Sequence, residues 1–292
     1  MTLSRKHTLI NAAILIVVLV GGWGCAATPP VPEHRALPLV RQDNGLEIRH
    51  WTVSDNLALI QSALHSVDAT PAMDETISRQ FQANGLSLMR VDASRLPELK
   101  ARLGSVLSDV SEWHGQAPTW RDIQSGVNSG SAAVVVDGQI RTFRRGRIQL
   151  MMRGWTSWME DGPFVHLELA FRHNEHTRTP LREVLRGGLD SPDLLVTSLS
   201  LEASLEADQA YVLFMVPAQN DEDSPQPPSR TRNMGPEVTP PPALGELLFF
   251  RGGIVTNRTL LVFIPKVSDA LFPQGHPVLT KRGYSFEGDP EG

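Results

Sequence analysis

A chain of 292 residues with 27 Lys and Arg against 32 Asp and Glu carries a formal charge of −5 and a single cysteine. Its length suffices for one large domain or two small ones, each with a core of its own. The mild negative balance excludes general nucleic-acid binding, which needs a basic face, and one thiol excludes an internal disulfide.

Arg5 and Lys6 precede a run from Leu9 to Val20 that is apolar apart from Asn11, the positive and apolar regions of an export signal. Stretched to Trp23, the run reaches about 15 residues, short of the roughly 20 that a spanning helix needs. Gly21, Gly22 and Gly24 then lead to Cys25. Gly22-Trp23-Gly24-Cys25 resembles the lipobox of bacterial lipoproteins, departing from it at Gly22, where the family has an aliphatic residue, and at Trp23, where it has a small one. The resemblance implies removal of residues 1–24 as a signal peptide, lipidation of Cys25 and anchoring in the cell envelope. Ala26 offers no retention aspartate, so the same resemblance implies the outer membrane, facing the periplasm. Lipidation also accounts for a lone thiol in an exported chain. The alternative is an uncleaved anchor ending at Cys25; either way the body sits on a membrane surface.

Residues 25–45, with Thr28-Pro29-Pro30-Val31-Pro32, read as an extended tether. A small α/β module is expected over 46–110. Leu46 to Val53 alternates like a strand, and Ser54-Asp55 can cap a helix with Leu57, Ile60 and Leu64 on one stripe. Pro71 opens a second helix through Ile77 and Phe81, closed by Asn84-Gly85. Leu86 to Val91 is a strand, and Leu96 to Leu103 a short helix stopped by Gly104.

A β-rich domain is expected over 111–282, beginning with a loop that contains Pro118 and Gly126. Ala132 to Val136, Arg147 to Arg153 and Phe164 to Arg172 are strands, the last with Val165, Leu167, Leu169 and Phe171 on one face and His166, Glu168 and Arg172 on the other. Asp137-Gly138 and Asp161-Gly162 are hairpin turns. Val196 to Leu205, Ala210 to Val216, Leu247 to Phe250 and Thr259 to Ile264 complete the strands. The fold class is therefore α+β, a small α/β module followed by a mainly antiparallel β-sandwich or meander. Residues 217–243, rich in Pro, Ser and acidic side chains, read as a disordered excursion, and 283–292 as a frayed tail.

Few groups carry chemistry. His173-Asn174-Glu175-His176 has zinc-ligand types, but it follows a strand and lacks the helical context of a metalloprotease motif. Ser129 lies in a small-residue stretch with no nucleophile elbow, and no phosphate-cradling glycine motif exists. Turn chemistry explains Asp161, and surface exposure explains Glu160. These readings predict no catalytic residue, metal or cofactor. Arg141, Arg144, Arg145 and Arg147, with Arg153 beyond them, form the one basic patch, suited to the phosphates or carboxylates of an anionic glycan or lipid. Trp113, Trp120, Trp155 and Trp158 could line a groove for such a ligand or cover core.

Leu205-Glu206-Ala207-Asp208-Gln209-Ala210-Tyr211-Val212-Leu213, then Pro242-Ala243-Leu244-Gly245-Glu246-Leu247-Leu248-Phe249, then Arg258 to Val267 follow one another in an order that resembles the end of bacterial secretins. That family has a turn around Gly-Gln, a Pro-x-Leu-Gly-Asp element leading to Leu-Phe, and a closing strand ending in Pro-Arg. Here Asp208-Gln209, Leu244-Gly245-Glu246 and Ile264-Pro265-Lys266 stand in those places, and the family's second Pro and Gly are missing. The resemblance implies a secretin-like envelope component, a homo-oligomer or part of an envelope complex. The expected function is thus a non-enzymatic, lipid-anchored structural or assembly component; the alternative is a sandwich module that binds an anionic glycan or lipid.

Overall fold

The computed structural model describes residues 44–136, 138–160, 162–175, 194–218, 241–251, 256–274 and 276–283. All belong to one compact unit, Gln42–Gly292. Cys25, the leader and most of the tether lie outside the described residues, as do His176, Asp137, Asp161, most of 217–243 and the tail beyond Gly283.

Two antiparallel sheets carry the architecture. The larger is built from β1 (Gly45–Ser54), β2 (Thr70–Pro71), β3 (Leu86–Asp92), β4 (Val106–Gly115), β11 (Gln209–Met215) and β13 (Asn257–Lys266), in the order β2-β3-β11-β13-β1-β4, with β12 (Phe250–Arg251) pairing beside β13. The smaller has the order β10-β9-β8-β5, from β5 (Ala117–Asn128), β8 (Gly146–Met159), β9 (Gly162–Glu175) and β10 (Leu194–Leu205). β6 (Ala132–Val136) and β7 (Gln139–Phe143) form a separate hairpin.

Alternation along the strands creates three layers. Leu46, Ile48, Leu86, Leu88, Tyr211, Leu213, Leu261 and Phe263 of the larger sheet pack with Ile148, Leu150, Met152, Val165, Leu167, Leu169 and Phe171 of the smaller. On the other face, Trp51, Val53, Val91, Val212, Phe214, Leu260, Val262 and Ile264 meet Ile60 and Leu64 of helix α1 (Leu57–Ser66) and Leu96 and Leu99 of helix α3 (Leu96–Arg102). β11 and β13 are covered on both sides, so they read as unbroken apolar runs. Helix α2 (Glu75–Ala83) lies on the sandwich side, with Phe81 in the core between the sheets.

The module expected over 46–110 does not close on itself. β1 and β3 are not neighbours, because β13 and β11, from the last third of the chain, lie between them. The boundary at 110 falls inside β4. Three further details differ. Asn56, not Ser54 or Asp55, caps α1, accepting from Leu59 N at 3.0 Å, while Asp55 is held by Arg258. Pro71 belongs to β2, and α2 starts after Asp74, whose carboxylate accepts from Ile77 N at 2.9 Å. The stretch expected as a loop around Pro118 and Gly126 is the long strand β5, which the chain enters after leaving β4 and the larger sheet at Gly115, with φ +58.

Leu247 to Phe250 is mainly a helix, α4 (Leu244–Phe249), rather than a strand. Leu244, Leu248 and Phe249 enter the core between the sheets at helical spacing. The short α5 (Pro277–Lys281) follows the last strand. The hairpin expected between Phe164 to Arg172 and its predecessor is present as β8 and β9, joined in register from Gly146 opposite Glu175 to Met159 opposite Gly162.

Candidate functional site

The basic residues divide into two groups according to the element that carries them. Arg141 lies on β7 and is exposed; Arg144 and Arg145 occupy the link from β7 to β8, also exposed. The backbone of this link is rigidly held. The Arg144 carbonyl accepts from Asn128 Nδ2 at 3.0 Å and contacts His173 Nε2 at 3.1 Å, and the Phe143 carbonyl accepts from Asn128 Nδ2 at 3.2 Å. The His173 ring stacks on Phe143 with centroids 4.7 Å apart. Against this fixed base the Arg144 guanidinium is 84% exposed, its contact with Glu175 a loose 3.8 Å. Arg141 and Arg145 have no side-chain partner among the described residues.

Arg147 and Arg153 sit on β8, on the face of the smaller sheet turned away from the core, and both are engaged. Arg147 donates to Ser125 Oγ at 2.9 Å and pairs with Asp122 at 3.6 Å. Asp122 also takes the Gln149 amide, whose Oε1 accepts from Arg172 Nε at 2.8 Å and Asn174 Nδ2 at 3.2 Å. Arg153 donates to Glu168 at 2.7 Å and lies over the rings of Trp120 and Trp155, at 4.9 and 5.7 Å from their centroids. His166 joins this group, 4.4 Å from the Trp155 ring and within 3.3 Å of Glu168. The predicted patch is thus brought together only in part: Arg141, Arg144 and Arg145 present charge to solvent, whereas Arg147 is bound within the sheet network.

The tryptophans likewise separate. Trp120 and Trp155 flank Arg153; Trp158 is exposed near the end of β8; Trp113 is exposed on β4 of the other sheet. Trp113 thus belongs to the larger sheet and the other three to the smaller.

His173 is committed to the backbone and to Phe143, and among the described residues no group of three His, Cys, Asp or Glu is arranged to hold a metal. Ser129 is exposed in a bend and Glu160 is exposed beside a turn.

Two features escape sequence reading. His50 on β1 and His114 on β4 have buried Nε2 atoms without a hydrogen-bond partner. Burial pushes both imidazoles below their ordinary pKa; Glu112 opposes the shift, while Arg251 near His50 and Arg121 near His114 reinforce it. Glu112 stands 3.5 Å from His114 Nε2, an ion-pair distance rather than a hydrogen bond. The second feature is an open groove of about 900 Å³ between the ends of β3, β13 and α5. Its lining balances three carboxylates, Asp92, Asp208 and Asp269, against three cations, Lys266, Lys281 and Arg282, with Lys281 paired to Asp208 and Arg282 to Asp269.

No family model, curated protein or solved structure matches the chain.

Proposed function

We propose that the chain is an envelope-anchored lipoprotein acting as a structural or assembly component, its body held to the membrane through Cys25. The observation that carries the reading is the succession of Arg5-Lys6, a short apolar run, small residues and the only cysteine. The body is consistent with that role. Among the described residues, half-buried ionisable groups such as Arg258 and Asp55 or Arg153 and Glu168 pair with each other within the fold. The segments that resemble the secretin end correspond to β11, α4 and β13, and β11 and β13 are adjacent, Val212 opposite Val262. Mass spectrometry of the membrane-extracted protein tests the anchor. Cleavage before Cys25 with acyl groups on the thiol and new amine is expected, and Cys25→Ala blocks processing; an intact N-terminus with an unmodified thiol overturns it. Two or more chains are needed for stable anchoring, at about 0.8 kcal/mol per buried methylene.

A second reading, binding of an anionic glycan or lipid, is favoured by the solvent-facing guanidinium groups of Arg141, Arg144 and Arg145 on a rigid backbone. Vesicles containing anionic lipid and acidic polysaccharide are the probes. Salt-sensitive binding lost in the Arg141→Ala/Arg144→Ala/Arg145→Ala variant supports it, and binding indifferent to both salt and substitution refutes it.

A further inference from the structure

We propose that the outer edge of β4 is a homotypic interface, at which two copies of this chain join their larger sheets in antiparallel register across a two-fold axis through Val110.

Two of the other sheet edges among the described residues are closed. β2, at the far end of the larger sheet, is two residues long and ends in Pro71, which has no N–H to offer. β5, at the edge of the smaller sheet, is covered by α4: Gln124 Nε2 donates to the Leu248 carbonyl at 2.7 Å, and Gly126 runs directly against Leu247. β4 is different. It has ten residues, is unpaired on its outer side among the described residues, and is exposed from Leu107 to Trp113. It contains no Lys, Arg or Pro to deter pairing. Leu107, Val110 and Trp113 are 55, 48 and 48% exposed, unusual for large apolar side chains on one strand.

The order of residues argues for a second copy as occupant. A two-fold interface is self-complementary, and Leu107 and Trp113 are equidistant in sequence from Val110. With the axis at Val110, Val110 meets its own symmetry mate, Leu107 comes beside Trp113 of the partner subunit, and Asp109 and Glu112 face serines 111 and 108. Because opposed side chains must share a face, the neighbouring registers move the axis by one whole residue: an axis at Asp109 sets that carboxylate against its own symmetry mate, two like charges, and one at Ser111 sets Val110 against Glu112 and Asp109 against Trp113. Both shifts are disfavoured. The Asp109 carboxylate is also already compensated on its own subunit, by Trp51 Nε1 at 3.0 Å and Lys100 at 2.6 Å. Ser108 to Trp113 pair with β1 without interruption, so the register offered to a partner is regular.

One strand edge buries less than the roughly 800 Å² per partner of a stable complex, so the contact is weak in dilute solution. Confinement of copies on one membrane raises their effective concentration; to that extent the physiological strength of the contact rests on the anchor proposed above, whereas its geometry does not.

The test uses the full chain in mild detergent with Cys25→Ser, so that an introduced cysteine is the sole thiol. Opposed residues of an antiparallel pair lie within disulfide reach. Val110→Cys is expected to yield a reductant-sensitive dimer on mild oxidation, and Val127→Cys, at a 70% exposed position of the smaller sheet, is expected to remain monomeric. Val110→Lys, which sets like charges together at the axis, is expected to weaken self-association in sedimentation experiments about tenfold with an unchanged circular dichroism spectrum. Absence of the Val110→Cys dimer, equal dimer from Val127→Cys, or undiminished association of Val110→Lys overturns the proposal. These samples carry no acyl chain, so failure here leaves the anchor standing, and an unmodified Cys25 in the native protein leaves this interface standing.

Discussion

The side chain of Asn84 pairs with the backbone of Val135 as a neighbouring strand would, Nδ2 donating to the carbonyl at 2.8 Å and Oδ1 accepting from the N–H at 2.8 Å. The same Nδ2 donates to the Gln80 carbonyl at 2.9 Å, so one residue, 1% exposed, both closes α2 and fixes the hairpin that bears Arg141. Asn84→Ala strips the Val135 groups of partners in a buried setting and is expected to cost about 2–4 kcal/mol in urea unfolding. Asn84→Asp, which can accept but not donate, is expected to do no better than Ala. A loss below about 0.5 kcal/mol in either variant would show that the clamp is dispensable.

Two glycines seat α4. A Cβ on Gly245 would stand 2.0 Å from the Gly85 carbonyl oxygen, and one on Gly126 would stand 1.9 Å from that of Leu247. Both obstacles are backbone, so no side-chain rotation relieves them. Gly245→Ala and Gly126→Ala are each expected to lower stability by about 3 kcal/mol or more, measured by thermal unfolding. Gly130→Ala, with nothing within 4 Å, is the neutral control.

Acid should loosen the junction of β1 and β4. The folded pKa values of His50 and His114 lie below the ordinary histidine value, chiefly through burial. The native state therefore holds fewer protons than the unfolded one. This contribution is complete above the unfolded value of about 6.5 and is lost as pH falls from there through the folded values. Melting temperatures from pH 7.5 to 5.5 should decline in the native sequence and flatten in His50→Gln/His114→Gln; parallel profiles refute the assignment.

Arg153→Lys is not a conservative change at its site. Lysine keeps the charge but not the planar group that faces Trp120 and Trp155 while donating to Glu168. The expected loss is about 1 kcal/mol, given the partial exposure of the pair, with a shift in tryptophan emission. An unchanged spectrum would mean that the stacking does not persist in solution.

What could be read from the sequence was whatever one face of burial imposes on a pattern. Val165, Leu167, Leu169 and Phe171 alternate because one side of β9 is core, and all four are buried between the sheets. Asn84-Gly85 ends α2 as its left-handed glycine requires, Gly85 having φ +73. β4 was illegible because it is exposed on most of its length and so has no reason to alternate. α4 reads as a strand in the sequence because six residues hold too few turns to reveal a helical period. Within the basic patch, spacing alone could not separate Arg147, which meets Asp122 and Ser125, from Arg144, since both partners come from β5, about twenty residues away along the chain.

The interleaving of the larger sheet sets an order on folding. β1 has β4 on one side, but its other neighbour, β13, is the last strand among the described residues, and Ile48 comes to rest opposite Phe263. β3 likewise waits for β11. A nascent chain that has not yet delivered residues 257–266 has a gap at the centre of this sheet, with Trp51 and Leu213 lacking their neighbours. Non-local pairing of this kind is slow, and a chain stopped after Met215 should be digested by protease where the full chain resists. Strand β1, made early, thus stays half-paired until residues 257–266 have left the ribosome, and the core closes only after that.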